Sequence, residues 1–267
     1  MSTPLLRPWH IALIALGIYQ PLAHADTIAE NAGCPAAALG VVEQNPRYAL
    51  IPDSSYLQCK TDPSDASRTL VAFVSHRQDT ETPGTYQGND YDLDVFLVSN
   101  RGAIIAQYTS DKVYSDDGIR LWDIGLDTAR YHLDKSTRAF GVTAEFGGQG
   151  GARGVGWKQI TLYARKGSKL IPVLKNLVVH STGNGNFECT NDEIGNGDAA
   201  VVTTRTISMA PTHSHGFADI IVDETVNETD ASLVRGKCLA VDQPASHARY
   251  VLKYNGSEYP LPSILTE

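Results

Sequence analysis

The amino-acid sequence predicts an all-β protein built from antiparallel sheets. Three observations carry that prediction. Short apolar or β-branched runs recur along the chain, turn residues separate them at short intervals, and helical periodicity is scarce. The runs cover residues 69–74, 93–98, 103–108, 119–124, 139–146, 160–163, 170–174, 201–209, 217–222 and 250–254. Asn100-Arg101-Gly102, Lys166-Gly167 and Asn255-Gly256 each follow one run and precede another apolar stretch. Glycine at these places permits the positive φ that a tight hairpin turn requires. Three strand–glycine–strand units therefore repeat, over residues 93–107, 160–174 and 250–261. Residues 27–42 offer a short helix interrupted by Gly33 and Pro35. The strand list fits a two-sheet β-sandwich or a small, incomplete β-propeller-like array.

The first 25 residues read as a secretory leader. Arg7 is their one basic residue, residues 11–18 are apolar, and Pro21 precedes the small-residue ending Ala23-His24-Ala25. The apolar stretch is about a dozen residues short of a bilayer span, so membrane insertion is not expected. The mature protein is expected to begin at Asp26 and to form a single domain over 26–267, in the periplasm or outside the cell. It carries 21 basic and 30 acidic residues, a formal net charge of −9. That balance disfavours nucleic acid and anionic membrane surfaces as partners and favours a basic one.

Cys34, Cys59, Cys189 and Cys238 are an even number of cysteines in an oxidising compartment, which predicts two disulfides. Sequence allows three pairings. Two cysteines near the N-terminus and two in the last third favour Cys34–Cys59 and Cys189–Cys238, each tying a segment to the core. No Cys-x-x-Cys occurs and no cysteine has a histidine within a few residues, which argues against zinc.

The segment His215-Gly-Phe-Ala-Asp-Ile-Ile-Val222 resembles the Gly-aromatic-x-Asp-apolar signature in blades of FG-GAP-type β-propeller proteins, and Tyr91-Asp-Leu-Asp-Val95 has a looser likeness. The resemblance implies blade-like β-hairpins. It covers about a dozen residues without the Asp-x-Asp-Gly calcium loop of such blades and without regular repeat spacing.

Candidate binding residues come from three places. Asp90, Asp92 and Asp94 alternate along a strand, so their carboxylates share one face about 7 Å apart, where calcium can be held with Asp116 and Asp117 of a following loop. The competing reading is a half-buried strand whose polar face is solvated. His213 and His215 at i and i+2 suit a zinc or copper pair, with His180 or Asp219 as the third ligand the fold would have to supply. Residues 147–156 contain six glycines and Arg153. No Lys-Ser or Lys-Thr follows them, so they are no P-loop, and they read as a hairpin loop able to approach a partner, forming a rim with loops 78–89 and 183–198.

Nucleophile signatures are absent: there is no Gly-x-Ser-x-Gly elbow, no His-Glu-x-x-His and no Ser-x-x-Lys with its partner motifs. Asp123, Glu145 and Glu224 would serve glycoside cleavage only by converging in space. No cofactor fingerprint is present; calcium at the aspartates and zinc or copper at the histidine pair are the candidate ions. An exported β scaffold with long polar loops and no catalytic signature points to a binding or inhibitory protein acting on another protein of the cell envelope. An immunity protein or inhibitor of a periplasm-acting toxin or hydrolase is its most concrete form. A secreted hydrolase or carbohydrate-active enzyme using carboxylates, and a calcium-stabilised adhesion module, are the alternatives.

Overall fold

The structure is a computed structural model, and it describes residues 33–52, 56–76, 90–115, 119–148, 155–185, 199–235 and 237–266. The strands are β1 (Leu57–Thr61), β2 (Arg68–His76), β3 (Asp90–Ser99), β4 (Ile104–Ser115), β5 (Ile119–His132) and β6 (Arg138–Gly148). They continue as β7 (Gly156–Lys166), β8 (Lys169–Asn184), β9 (Ala200–Ser214), β10 (Phe217–Val234), β11 (Lys237–Asp242) and β12 (Ser246–Leu252). Among the described residues an α-helix, α1 (Ala36–Glu43), and a short 3-10 turn, Tyr48–Leu50, precede them. The all-β class is as the sequence predicts. Its architecture is neither a pair of separate sheets nor radial blades but one continuous twelve-stranded sheet that curls into a nearly closed barrel.

The first eight strands follow the order β1-β2-β3-β4-β8-β7-β6-β5. Every pairing is antiparallel except a single parallel bridge between Gln107 of β4 and Lys169 of β8. Curling brings β5 back to the first strand: Tyr56 donates its hydroxyl to the Leu121 carbonyl at 2.5 Å, and Lys60 Nζ donates to the Leu126 carbonyl at 3.3 Å. Across the interior, Tyr108 of β4 packs on Tyr163 of β7 (ring centroids 5.0 Å apart) and Tyr114 on Phe146 of β6 (5.6 Å). These strands are not neighbours in the sheet, so only its curvature permits the contacts.

The sheet forks at β8. Its first residue touches β4, while His180–Asn184 pair with Ala200–Thr204 of β9. From β9 the sheet runs to β10, whose other edge carries β12 along Ile220–Val226 and β11 along Thr229–Val234. This second wing folds back over the outside of the barrel and encloses a second core, in which Ala139, Ile160, Leu162 and Leu174 meet Ile220, Val222 and Leu252. Strand β7 therefore buries both faces: Ile160, Leu162 and Ala164 point into the second core and Tyr163 into the barrel. A continuous apolar run is the expected signature of such a strand.

The hairpin predicted at Gly102 and that at Gly167 form, with φ of +79° and +63°. The third unit does not. Asn255-Gly256 makes a turn whose Asn255 side chain accepts from the Ser257 and Glu258 amides, but no strand follows. Instead the C-terminal tail crosses the second core, where Tyr259 donates its hydroxyl to the Ala218 carbonyl at 2.7 Å and its amide to Val173 at 2.7 Å. The propeller-like segment 215–222 is the turn and start of the β9–β10 hairpin. His215 and Gly216 both have positive φ (+50° and +90°), the geometry of a two-residue type I′ turn.

Cys34 and Cys59 form the expected disulfide, which fastens the start of α1 to β1. Cys238 is also disulfide-bonded, and Cys189 lies outside the described residues. The helix predicted within 27–42 occupies Ala36–Glu43, and residues 27–32, like the leader, lie outside the described residues. Ala38, Val42, Tyr48 and Ile51 pack from this N-terminal segment against the barrel.

Candidate binding mouth of the barrel

The alternating aspartates of β3 are placed where the N-terminal segment covers the sheet. Positions 91–98 are buried on both faces, which replaces the solvated face that alternation suggested. Asp92 and Asp94 are almost fully enclosed, at 7% and 2% exposure. Arg47 reaches over them, with one terminal nitrogen 3.3 Å from Asp94 and the other 3.6 Å from Asp92 and 2.6 Å from Asp111. Asp92 also accepts the Lys112 amide (2.9 Å) at a bulge where Lys112 has φ +50°, and Asp94 accepts the Thr109 hydroxyl (2.7 Å). Asp90 pairs with the Lys112 ammonium at 2.9 Å. The three carboxylates thus serve an ion-pair cluster that holds the N-terminal segment and a bulge. Asp116, Asp117 and Arg153 lie outside the described residues.

The histidine pair sits at the tip of the β9–β10 hairpin. His213 Nδ1 lies 3.1 Å from the Pro211 carbonyl and His215 Nδ1 2.8 Å from the Tyr254 carbonyl. Asp219 is buried beside them and accepts the Thr212 hydroxyl at 2.7 Å. His180 is elsewhere: it is in register with Thr204, nine residues and about 30 Å along β9 from His213. Among the described residues no group of three or more His, Cys, Asp or Glu side chains has metal-holding geometry. Asp123 and Glu145 are register partners across β5–β6, whereas Glu224 is buried in the second wing against Arg205.

The described strand ends that flank the loops of the suggested rim share one position in the topology. The ends of β2, β4, β6 and β8 and the starts of β3, β5, β7 and β9 all lie at one pole of the barrel. The register pairs His76–Tyr91, Asp90–Ser115, Ile119–Gly148, Gly156–Thr182 and Asn184–Ala200 fix this. Segments 77–89, 116–118, 149–154 and 186–198, which join these ends, lie outside the described residues.

Sequence reading missed Trp122, the most exposed aromatic side chain among the described residues at this pole. The β5–β6 register shifts between Leu121 and Asp123, so Trp122 is the extra residue of a bulge and is turned out of the ladder. Its indole lies flat over Gly147: a Cβ there would come within 2.5 to 2.8 Å of three ring atoms. Glycine is thus the seat of the ring, and the side chain remains 52% exposed. Beside it, Trp157 stacks on Phe146 (5.0 Å, 18°). The two tryptophans, Glu145, Lys158, His180 and the backbone of Gly147 and Gly156 line an open cleft of about 450 Å³. Glu145 and Lys158 form an ion pair across it at 3.3 Å.

On the other side of Trp122 lies a smaller recess lined by Tyr56, His76, Tyr91 and Arg120. Its rings are stacked, His76 on Tyr91 at 5.0 Å and Tyr91 on Tyr56 at 5.9 Å. The mouth therefore offers aromatic faces interleaved with single charges, an arrangement suited to gripping a partner's surface groups. The signal that could have found it is a tryptophan one residue off the strand alternation, read together with the glycine pair facing it.

No protein-family model matches this chain, and no curated protein or solved structure matches it.

Proposed function

We propose that this chain is an exported binding protein that engages a protein of the cell envelope through the mouth of its barrel. Blocking a periplasm-acting toxin or hydrolase is the concrete form of that role. The observation that carries the reading is Trp122, a half-exposed indole seated on a glycine between two recesses, at the pole where the ends of β2, β4, β6 and β8 lie. Rigid aromatic anchors of this kind concentrate binding energy in protein interfaces. The acidic balance of the chain favours a basic counterpart and adds speed of encounter more than tightness.

Site-specific photo-crosslinking in the source cells tests the reading. A photoreactive residue at Arg120 or His180, at the mouth, should give one discrete adduct. The same residue at His213, on the hairpin tip, should give none. In vitro, Trp122→Ala should weaken binding of the partner so identified by about thirtyfold or more. Adducts arising equally from both ends, or from neither, would overturn the proposal.

A further inference from the structure

We infer a second binding site, for a phosphate-like oxyanion, at the pole opposite the mouth. There the starts of β2 and β6 and the end of β7 bring Arg68, Arg138 and Arg165 to one cavity of about 190 Å³, together with the hydroxyl residues Ser64, Ser136 and Thr137 and one carboxylate, Asp62, which faces Arg68. In a chain with eight more acidic than basic residues this is a local reversal of charge. The cavity floor is apolar, formed by Leu70, Leu97, Phe140 and Leu170 of the barrel interior.

Among the described residues, carboxylates neutralise one of the three guanidinium groups. Arg68 lies 3.0 Å from Asp65 and 3.9 Å from Asp62. Arg138 has no carboxylate partner among the described residues. Its terminal nitrogens donate to the carbonyls of Thr128 (2.7 Å), Ala129 (3.3 Å) and Pro63 (3.4 Å), which hold the group in place. Its Nε is buried and has no acceptor among the described residues. Arg165 is fixed at its Nε by the Gly167 carbonyl (2.9 Å), and no carboxylate among the described residues meets its terminal nitrogens.

Two fixed guanidinium groups with surplus charge are suited to a tetrahedral oxyanion, whose paired oxygens match the planar fork of arginine. The nearby carboxylate of Asp134 does not compete for them. Its oxygens accept from the amides and hydroxyls of Ser136 and Thr137, and these hydrogen bonds turn the loop so that both residues line the cavity. The volume accommodates a phosphoryl group, free or as the end of a phosphomonoester.

The test is a thermal-unfolding titration of the full chain in a phosphate-free buffer, with sodium phosphate, sodium sulfate and glycerol 3-phosphate as probes and sodium chloride at matched ionic strength as control. A ligand bound only by the native state raises the unfolding temperature saturably. Phosphate and sulfate should do so where chloride does not, and Arg165→Gln should weaken the apparent affinity by about tenfold or more. Arg165 is exposed, so this variant is expected to fold. Lys166→Gln, the same charge change one residue away from the cavity lining, should leave affinity unchanged. Tighter binding of glycerol 3-phosphate than of phosphate would support the site and assign its ligand as a phosphomonoester. A shift that fails to saturate, is shared by chloride or persists undiminished in Arg165→Gln would overturn the inference. The mouth and its partner are untouched by either result, because the cavity lies at the other pole.

Discussion

Single residues show how the same chemical group is used in opposite ways. Asp134 is wrapped by hydrogen bonds from Ser136 and Thr137, which outweigh its desolvation and hold its carboxyl below the usual range. Asp94 is the reverse case: burial pushes its carboxyl up, against the pull of the Thr109 hydroxyl and Arg47. The unfolded chain releases this proton in the ordinary range, so the native state binds it first as pH falls. The stability owed to Asp94 is therefore complete below the unfolded pKa and is lost as pH rises through the raised folded pKa. Asp94→Asn, which cannot ionise, should remove that dependence. Urea unfolding at about pH 7 should favour the variant, relative to wild type, more than it does at about pH 4. An offset that stays constant over this interval would contradict the account.

At the scale of elements, most strands were visible as apolar runs and most turns as glycine-containing pairs, because both signals are local. What alternation cannot report is which faces are covered. Strand β3 alternates aspartate with apolar residues as a half-solvated strand would, yet α1 and Arg47 cover its polar face. Two strands escaped notice for the same reason. β1 (Leu57–Thr61) and β11 (Lys237–Asp242) are short and mixed in polarity, and they are strands because they edge a neighbour. The doubly buried strands leave little room between layers. Gly141 of β6 sits where a Cβ would come 2.5 Å from Ile160 Cδ1 and 2.9 Å from its Cγ1. Gly141→Ala should cost about 1–3 kcal/mol by overpacking. Adding Ile160→Val should recover part of it, read as the change in urea midpoint at constant m-value. A single substitution without effect would show that Ile160 can move aside freely.

At the scale of the whole molecule, two layers share β6, β7 and β8, and a few polar residues fasten them together. Arg205 is the chief of these. It is 7% exposed, pairs with Glu224 at 2.6 Å, and donates to the Val178 carbonyl of β8 (3.0 Å) and the Ile264 carbonyl of the tail (2.9 Å). One guanidinium thus joins the barrel, the second wing and the C-terminus. Arg205→Ala leaves Glu224 buried without its counter-charge and should cost about 3–5 kcal/mol in unfolding free energy. The same variant should speed proteolysis of the tail beyond Lys253, since Ile264 loses its partner. A loss of less than about 1 kcal/mol would mean that Glu224 finds another partner or water.

The sequence by itself determined the all-β class and the glycine turns at Gly102 and Gly167, and it favoured the pairing of Cys34 with Cys59, since each follows from side-chain period, backbone freedom or proximity along the chain. The tertiary structure decided the rest. It curled one sheet into a barrel with a second wing, turned the aspartates of β3 inward to Arg47, and gathered Trp122, Trp157 and Glu145 at one pole and three arginines at the other. These outcomes depend on contacts between residues tens of positions apart, where burial of both faces and closure of the sheet are set together, and no local pattern encodes them.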